Sequence, residues 1–590
     1  MMTSVMRALR WGAASLLLSG AAAAGGQAAA GTGAAPVLQP CDVPGLSGKA
    51  RCGTLEVWEN REARKGRKIS LKIVVLPATG SPSAPDAFTF LAGGPSQAAT
   101  DEAAGLAQEL AVIREHRDLL LVDQRGTGGS HPQNCQMYLP AENLQSYLGE
   151  FFPVESVRRC RAELEKDADL TLYTTPLAMD DLDDVREALG YPKLNLLGGS
   201  YGTRAAQVYL ERHPSHVRTV ILQGVVPKDD RMPLHFPQSA ERALQGVLDE
   251  CAAEASCRSA FPKLREESRA VFDTLSRAPV RTAVLNPATG DPAEVSLSRD
   301  LAAEAVRYML YSSASAGEIP AVLHQAAGGD WTPLAERALF GRREIVGSGA
   351  NGLYLSITCA EDVPWIKPGE GERAAEGTFL GGYRLRDQRA ACALWPRASI
   401  SQRYFEPVRS PAPVLLVSGQ WDPATPPSNA EAVAKSLPHA LQVVVPHGGH
   451  GYEGLEGLAC LTKLETAFVE KGTTEGLDTG CIAAIRRPPF RVEPFQMKVV
   501  SLDSATLAKF AGAYRQEDGP AEGTVEIAGN KLAASFFGER FLLVPVSPTR
   551  FRVLENPSAV VLFEVEDGQV RRMTVLQGST PILKVVPKKS

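Results

Sequence analysis

A serine, a carboxylate and a histidine stand in an order that could carry out acyl transfer. Ser200 lies within Gly198-Gly199-Ser200-Tyr201-Gly202, a G-x-S-x-G pattern. A serine hydroxyl is a weak nucleophile until a base takes its proton, so a histidine held by an acid should follow. On a strand–turn–helix scaffold the chain order is serine, then acid, then histidine. The 9 histidines make the search short. His450 lies in Pro446-His447-Gly448-Gly449-His450-Gly451, and Asp422 in Ser418-Gly419-Gln420-Trp421-Asp422-Pro423, each just after an apolar strand-like run. His447 is the competing base; His450 is preferred because flanking glycines let its loop bring the imidazole to the serine. The plain alternative for Asp422 is a turn residue before proline. His213 and His216 fall in the surface turn expected after the helix that follows Ser200. Asp123 also ends a strand-like run, but it precedes the serine and is expected to fix a loop through Arg125.

The flanking sequence must position these groups. Leu194 to Leu197 is apolar and strand-like, and Thr203 to Arg212 is compatible with a helix. Strand, strained turn and helix together make a nucleophile elbow, and the helix N-terminus favours the negative charge that develops there. That charge also needs backbone N–H donors. Tyr201, directly after the serine, should give one. Gly93 or Gly94, in the loop Ala92-Gly93-Gly94-Pro95 after the run Phe88 to Leu91, should give the other. The alternative reading of this loop is a simple β-turn.

Other short apolar runs, Asp118 to Val122, Arg218 to Leu222, Val414 to Val417 and Gln442 to Val445, alternate with helical segments. This spacing predicts a doubly wound α/β fold, a mostly parallel sheet with helices on both faces. Leu55 to Trp58 and Ile69 to Leu76 should pair as early strands. The alternation stops after Val226. Ala240 to Glu254, Leu264 to Arg277 and Asp300 to Tyr311 are helical, so residues 229–395 are expected to form an inserted, mainly helical cap. The core is then split into 37–228 and 396–490, the second part bearing Asp422 and His450. Pro488, Pro489 and Pro494 mark a boundary, and 495–590 are expected to form a small antiparallel β domain. Within it Gly529-Asn530 joins Thr524–Ala528 to Lys531–Phe536 as a two-residue hairpin.

Residues 1–30 have the pattern of a secretory signal peptide: Arg7 and Arg10, a short apolar stretch, then small residues at Ala22-Ala23-Ala24 and Ala28-Ala29-Ala30. The 10 cysteines fit export. They fall into sequence-local pairs whose short loops close most readily: Cys41–Cys52, Cys135–Cys160, Cys251–Cys257, Cys359–Cys392 and Cys460–Cys481. A periplasmic or secreted protein without a stable membrane anchor is expected. No cysteine has metal-site spacing with histidine, so neither a metal nor a cofactor is expected. With a net charge of -5 and no basic stripe, nucleic acid is not an expected partner.

These segments together resemble the secreted α/β-hydrolase serine exopeptidases of the prolyl iminopeptidase and tripeptidyl aminopeptidase family. The matching stretches are Gly93-Gly94-Pro95, Asp123-Gln124-Arg125-Gly126-Thr127-Gly128-Gly129-Ser130, Gly198-Gly199-Ser200-Tyr201-Gly202-Thr203, the Asp422 loop and Gly449-His450-Gly451. The Asp-Gln-Arg-Gly stretch is the most telling. The resemblance spans roughly residues 40 to 490. It implies Ser200 as nucleophile, Asp422 as orienter, His450 as base, and Gly93 or Gly94 with Tyr201 as the oxyanion hole. The family's His-Gly-Gly-Pro-Gly loop has Ala92 and Ser96 at its ends here, which puts the loop shape in question. Peptides with a free N-terminus are the implied substrates. Their cationic amine needs a carboxylate, because a buried unpaired ammonium is costly. Glu361 and Asp362, beside Cys359, are the candidates, and the alternative is a pair of solvated surface acids. An esterase or lipase on the same scaffold is the rival reading, and a non-catalytic binding protein a weaker one.

Overall fold

The computed structural model describes residues 36–46, 48–138, 143–347, 349–519, 521–578 and 580–588. The expected leader at 1–30 lies outside them. Nine strands form the core sheet: β1 Gln39–Cys41, β2 Ala50–Trp58, β3 Lys68–Leu76, β4 Ala87–Leu91, β5 Leu119–Val122, β6 Leu194–Gly199, β7 Val217–Gln223, β8 Val414–Gly419 and β9 Ala440–Val445. Their order is β1-β2-β3-β5-β4-β6-β7-β8-β9. From β5 onward every pairing is parallel, and β1, β2 and β3 form an antiparallel meander at one edge. The central strands are mainly apolar because helices cover both faces; every residue of β8 is buried. The α/β reading and the pairing of the two early strands hold.

Between β7 and β8 the chain leaves the sheet and builds a mainly helical cap. Its helices include Phe236–Ala253, Leu264–Arg277, Arg299–Met309 and Thr332–Gly347, around their own apolar core, and Asn351–Glu361, whose Leu353, Leu355 and Ile357 pack into the core of the sheet. A two-stranded hairpin, Val280–Leu285 with Pro292–Leu297, interrupts the helices. The sequence lacks a strong signal for it, because only Val284, Val295 and Leu297 of its residues are buried.

The C-terminal strands close into an eight-stranded antiparallel barrel. The Gly529-Asn530 hairpin forms in the expected register, Ala528 opposite Lys531. Closure comes from pairing the first strand, Gly512–Gln516, with the last, Thr580–Pro587. The interior is filled by Phe510, Phe551, Phe563, Val585 and their neighbours. The barrel rests against the cap through polar contacts: Arg552 pairs with Glu336, and Ser558 donates to Glu318, which also accepts from Arg337 at 2.7 Å.

All ten cysteines are paired as the sequence spacing predicts: Cys41–Cys52, Cys135–Cys160, Cys251–Cys257, Cys359–Cys392 and Cys460–Cys481. Among the described residues no helix is long and apolar enough to cross a membrane.

Candidate active site

The candidate catalytic residues lie on loops at the carboxyl ends of β6, β8 and β9, where a doubly wound sheet places its ligands. Ser200 has φ 55° and ψ −121°, a conformation that L-residues avoid, between β6 and the helix Tyr201–Arg212. The neighbouring glycines explain how the turn is made. A Cβ on Gly202 would stand 1.9 Å from the Leu91 carbonyl, and one on Gly198 would stand 2.4 Å from the Gly202 carbonyl. Strand, turn and helix therefore pack backbone to backbone. The Ser200 N–H donates to the Gln223 carbonyl at 2.9 Å, and the Ser200 carbonyl accepts from Thr203 Oγ1 at 2.6 Å. Such strain costs about 1–3 kcal/mol and persists only where the surroundings impose it.

Asp422 is fully buried. Its Oδ1 accepts the N–H groups of Ala424 and Thr425, both at 2.8 Å. Its Oδ2 accepts Thr425 Oγ1 at 2.6 Å and faces His450 Nδ1 at 2.8 Å. Burial alone would raise this carboxyl, but the His450 charge and the hydrogen bonds from His450 and Thr425 hold it below the ordinary range. The acceptor at Nδ1 fixes the tautomer, leaving Nε2 as the free base. The ring packs edge-on against Tyr311, centroids 4.9 Å apart, and a Cβ on Gly224 would stand 3.1 Å from its Cε1. Gly224 follows Gln223, the residue that holds the Ser200 N–H, so imidazole and serine share one backbone corner.

Thr425 is a member of this group that sequence reasoning missed. Its hydroxyl touches Asp422 and lies 3.1 Å from His450 Nδ1. A threonine three residues after an aspartate carries no signal in a single sequence. Thr425→Ala is expected to lower kcat about tenfold with KM little changed, because one hydrogen bond orienting the base is lost. Thr425→Ser should restore most of it, as steady-state kinetics on one substrate will test.

His447 is engaged elsewhere. Its Nδ1 lies 2.7 Å from Glu250 Oε1, and Glu250 also accepts from Trp421 Nε1 and Arg487 Nε. This cluster ties the loop after β9 to the cap helix Phe236–Ala253.

The Gly93-Gly94-Pro95 loop lies against the serine; a Cβ on Gly93 would be 3.3 Å from Ser200 Cβ. The two departures from the family loop do not detach it. The Ser96 carbonyl accepts the Ala350 N–H at 2.9 Å, so the cap pins the loop from above. Tyr201 occupies the first position of its helix, where N–H groups have no intrahelical acceptor. Its phenol bonds Thr175 Oγ1 at 2.7 Å and Gln124 Nε2 at 3.1 Å.

Glu361 and Asp362 are fully buried, not solvated. Glu361 accepts the Thr175 N–H at 2.7 Å, Thr175 Oγ1 at 2.7 Å and the Tyr404 hydroxyl at 2.6 Å. It is linked to Tyr201 through Thr175. Asp362 Oδ1 accepts from Arg204 Nη1 at 2.9 Å and from the Met232 N–H at 3.1 Å, while buried Oδ2 has no partner among the described residues. Burial pushes the Asp362 carboxyl up to about 7, against the pull of the Arg204 charge. Arg204 stands one turn after Ser200 in the helix Tyr201–Arg212.

Asp123 fixes a loop, but not through Arg125. It accepts from Thr100 N–H, Thr100 Oγ1 and the Gly129 N–H. Arg125 is bound instead to Asp181, at 2.6 and 2.8 Å, because its side chain points away under the helix Thr175–Ala188.

Fold and site together define a serine hydrolase with an α/β sheet and an inserted cap. Residues 87–451 match the model of the alpha/beta hydrolase fold family, and the chain belongs to that family. It is similar to the serine protease Hip1 of Mycobacterium tuberculosis, 27% identical over 477 residues that cover 74% of this chain and 88% of that protein. It is also similar to a tripeptidyl aminopeptidase of Streptomyces lividans, 24% identical over 73% of this chain and 83% of the relative. A carboxylesterase B of Mycobacterium tuberculosis is 27% identical over 66% of this chain and 78% of its own length.

Proposed function

We propose that the protein is an exported serine peptidase that cleaves peptide bonds near free N-termini. The reading rests on Ser200, in its strained elbow, sharing a corner with the Asp422–His450 pair. Ser200 Oγ attacks the scissile carbonyl while His450 Nε2 takes its proton. The oxyanion is received by the N–H groups of Tyr201 and of Gly93 or Gly94. His450 then gives the proton to the departing amine, and water hydrolyses the acyl-enzyme by the same route in reverse. Asp422 holds the imidazole and stabilises its cationic form. The groups named supply every proton transfer. The five disulfides support export, since such bonds persist in oxidising compartments.

Peptidase rather than esterase action is supported by two relatives, a serine protease and a tripeptidyl aminopeptidase. It is also supported by the unpartnered Oδ2 of Asp362 in the cap. We assign the substrate ammonium to Asp362. Glu361, whose oxygens are already taken by Thr175 and Tyr404, is assigned the task of holding Tyr201 in place. The carboxylesterase relative favours the second reading, ester hydrolysis by the same triad.

Peptidyl p-nitroanilides with free and acetylated N-termini, assayed beside p-nitrophenyl esters, separate these readings. Free-amine peptides should be the best substrates; esters alone being turned over would select the second reading. The ratio of kcat/KM on free to acetylated peptide should carry its own pH dependence, since the contribution of His450 cancels in it. It should rise as pH passes about 7 and Asp362 ionises, then fall above about 8 as the substrate amine loses its proton. Asp362→Asn should raise KM for free-amine peptides about tenfold or more and flatten that profile, with acetylated peptides little changed. An equal loss on both would mark Asp362 as the structural partner of Arg204 only.

A further inference from the structure

The far end of the elbow helix carries a second cluster of chemistry-bearing side chains. His213 follows the last residue of the helix Tyr201–Arg212, and His216 stands at the entry to β7. Their rings are parallel within 8°, centroids 6.1 Å apart. Both turn a nitrogen to Asp183, on the neighbouring helix Thr175–Ala188: His213 Nδ1 lies 3.5 Å from Oδ2, and His216 Nδ1 lies 2.8 Å from Oδ1. The three ligand atoms lie within 4.8 Å of one another.

The surrounding groups decide what this cluster can hold. His213 Nε2 lies 3.0 Å from Asp180 Oδ1. An ionised carboxylate only accepts, so Nε2 carries the hydrogen. In the neutral ring Nδ1 is then a lone pair, facing the Asp183 carboxylate. Two acceptors at 3.5 Å repel unless a cation lies between them, whether a proton on the imidazole or a metal ion. A carboxylate on the far nitrogen of a histidine is also the arrangement that orients a metal-binding imidazole. Asp183 is itself braced on Oδ1 by Arg186 Nε at 2.7 Å and the Tyr209 hydroxyl at 2.8 Å; Oδ2 takes only a longer contact from Arg186 Nη2, at 3.3 Å, and is the less occupied oxygen. Ligands about 2.0–2.1 Å from a tetrahedral ion stand roughly 3.3 Å apart, close to the His213–Asp183 separation. His216 is about a third exposed, so solvent can reach a fourth position.

We propose that Asp183, His213 and His216 form a binding site for a divalent transition metal ion, with zinc the best match to two imidazoles and one carboxylate. Binding replaces the proton shared by His216 Nδ1 and Asp183, and that proton leaves to solvent. The ion would fasten the C-terminal end of the elbow helix to its neighbour. It takes no part in the proposed catalytic chemistry.

The test uses the full chain, stripped with chelator, dialysed against zinc and freed of excess by gel filtration. About one equivalent of zinc should remain on the wild-type protein, and cobalt in its place should give the strong visible absorption of a tetrahedral site. His213→Ala and His216→Ala should each lose that equivalent, and Asp180→Asn should weaken it about 10- to 100-fold. Circular dichroism and labelling by a fluorophosphonate probe will show that the variants are folded. Zinc retained equally by the folded variants, or none retained by the wild type, would overturn the proposal.

Discussion

Ser200→Ala is expected to lower peptide hydrolysis by roughly 10^4- to 10^6-fold while the protein stays folded. The substitution removes one hydroxyl. The turn itself is held by the Ser200 N–H on Gln223, the Ser200 carbonyl under Thr203 and the close approach of Gly202 to Leu91, none of which involves the side chain. Alanine at φ 55° carries the same backbone strain as serine. Thermal unfolding should therefore move little, and the loss should fall on kcat with substrate affinity retained. A variant that loses activity together with its unfolding transition would point to a structural serine.

His450→Ala should fall nearly as far, because the hydroxyl then has no base and the buried Asp422 carboxylate loses its imidazole partner, keeping only its bonds from Ala424 and Thr425. That second consequence adds a cost in stability of a few kcal/mol, as expected when one partner of a buried pair is removed. His447→Ala should be much milder, no more than about tenfold in kcat. It breaks a link between Glu250 and the loop after β9, and the cap helix still holds Trp421 and Arg487 through Glu250. Kinetics of both variants on one peptide substrate distinguish the two histidines. An inactive His447→Ala beside an active His450→Ala would require a different base.

Features fixed by local constraints are legible in the sequence. Gly198 and Gly202 are dictated by the tightness of one turn, and the strand before and helix after it have their own periodicities. Asp422 and His450 stand on the loops that follow two strands of the sheet, in the chain order expected of the acid and the base. The disulfides close short loops. What escaped depends on groups far apart in sequence. Glu361 and Asp362 stand out in the sequence as candidate acids, but their burial and partners are not legible there, because Thr175 and Arg204, which bond them, lie 186 and 158 positions away. Arg125 finds Asp181 rather than its near neighbour Asp123 for the same reason. Hairpins of the C-terminal domain are visible in its turn residues, yet closure into a barrel needs Tyr514 to meet Pro587, which no local signal announces. The pairing of His213 and His216 with Asp183 belongs to this class too, whereas Thr425 is near Asp422 in sequence but carries no local signal. Each is an ordinary polar residue until the fold brings its partners in.

The claim that Ser200 is a nucleophile activated by His450 is tested most directly by a fluorophosphonate probe followed by peptide mass mapping. The expected result is a single phosphonyl adduct on Ser200 in the wild-type chain, no adduct in Ser200→Ala, and labelling slowed by at least about 100-fold in His450→Ala. An adduct on another residue, or labelling that proceeds at the wild-type rate without His450, would contradict it.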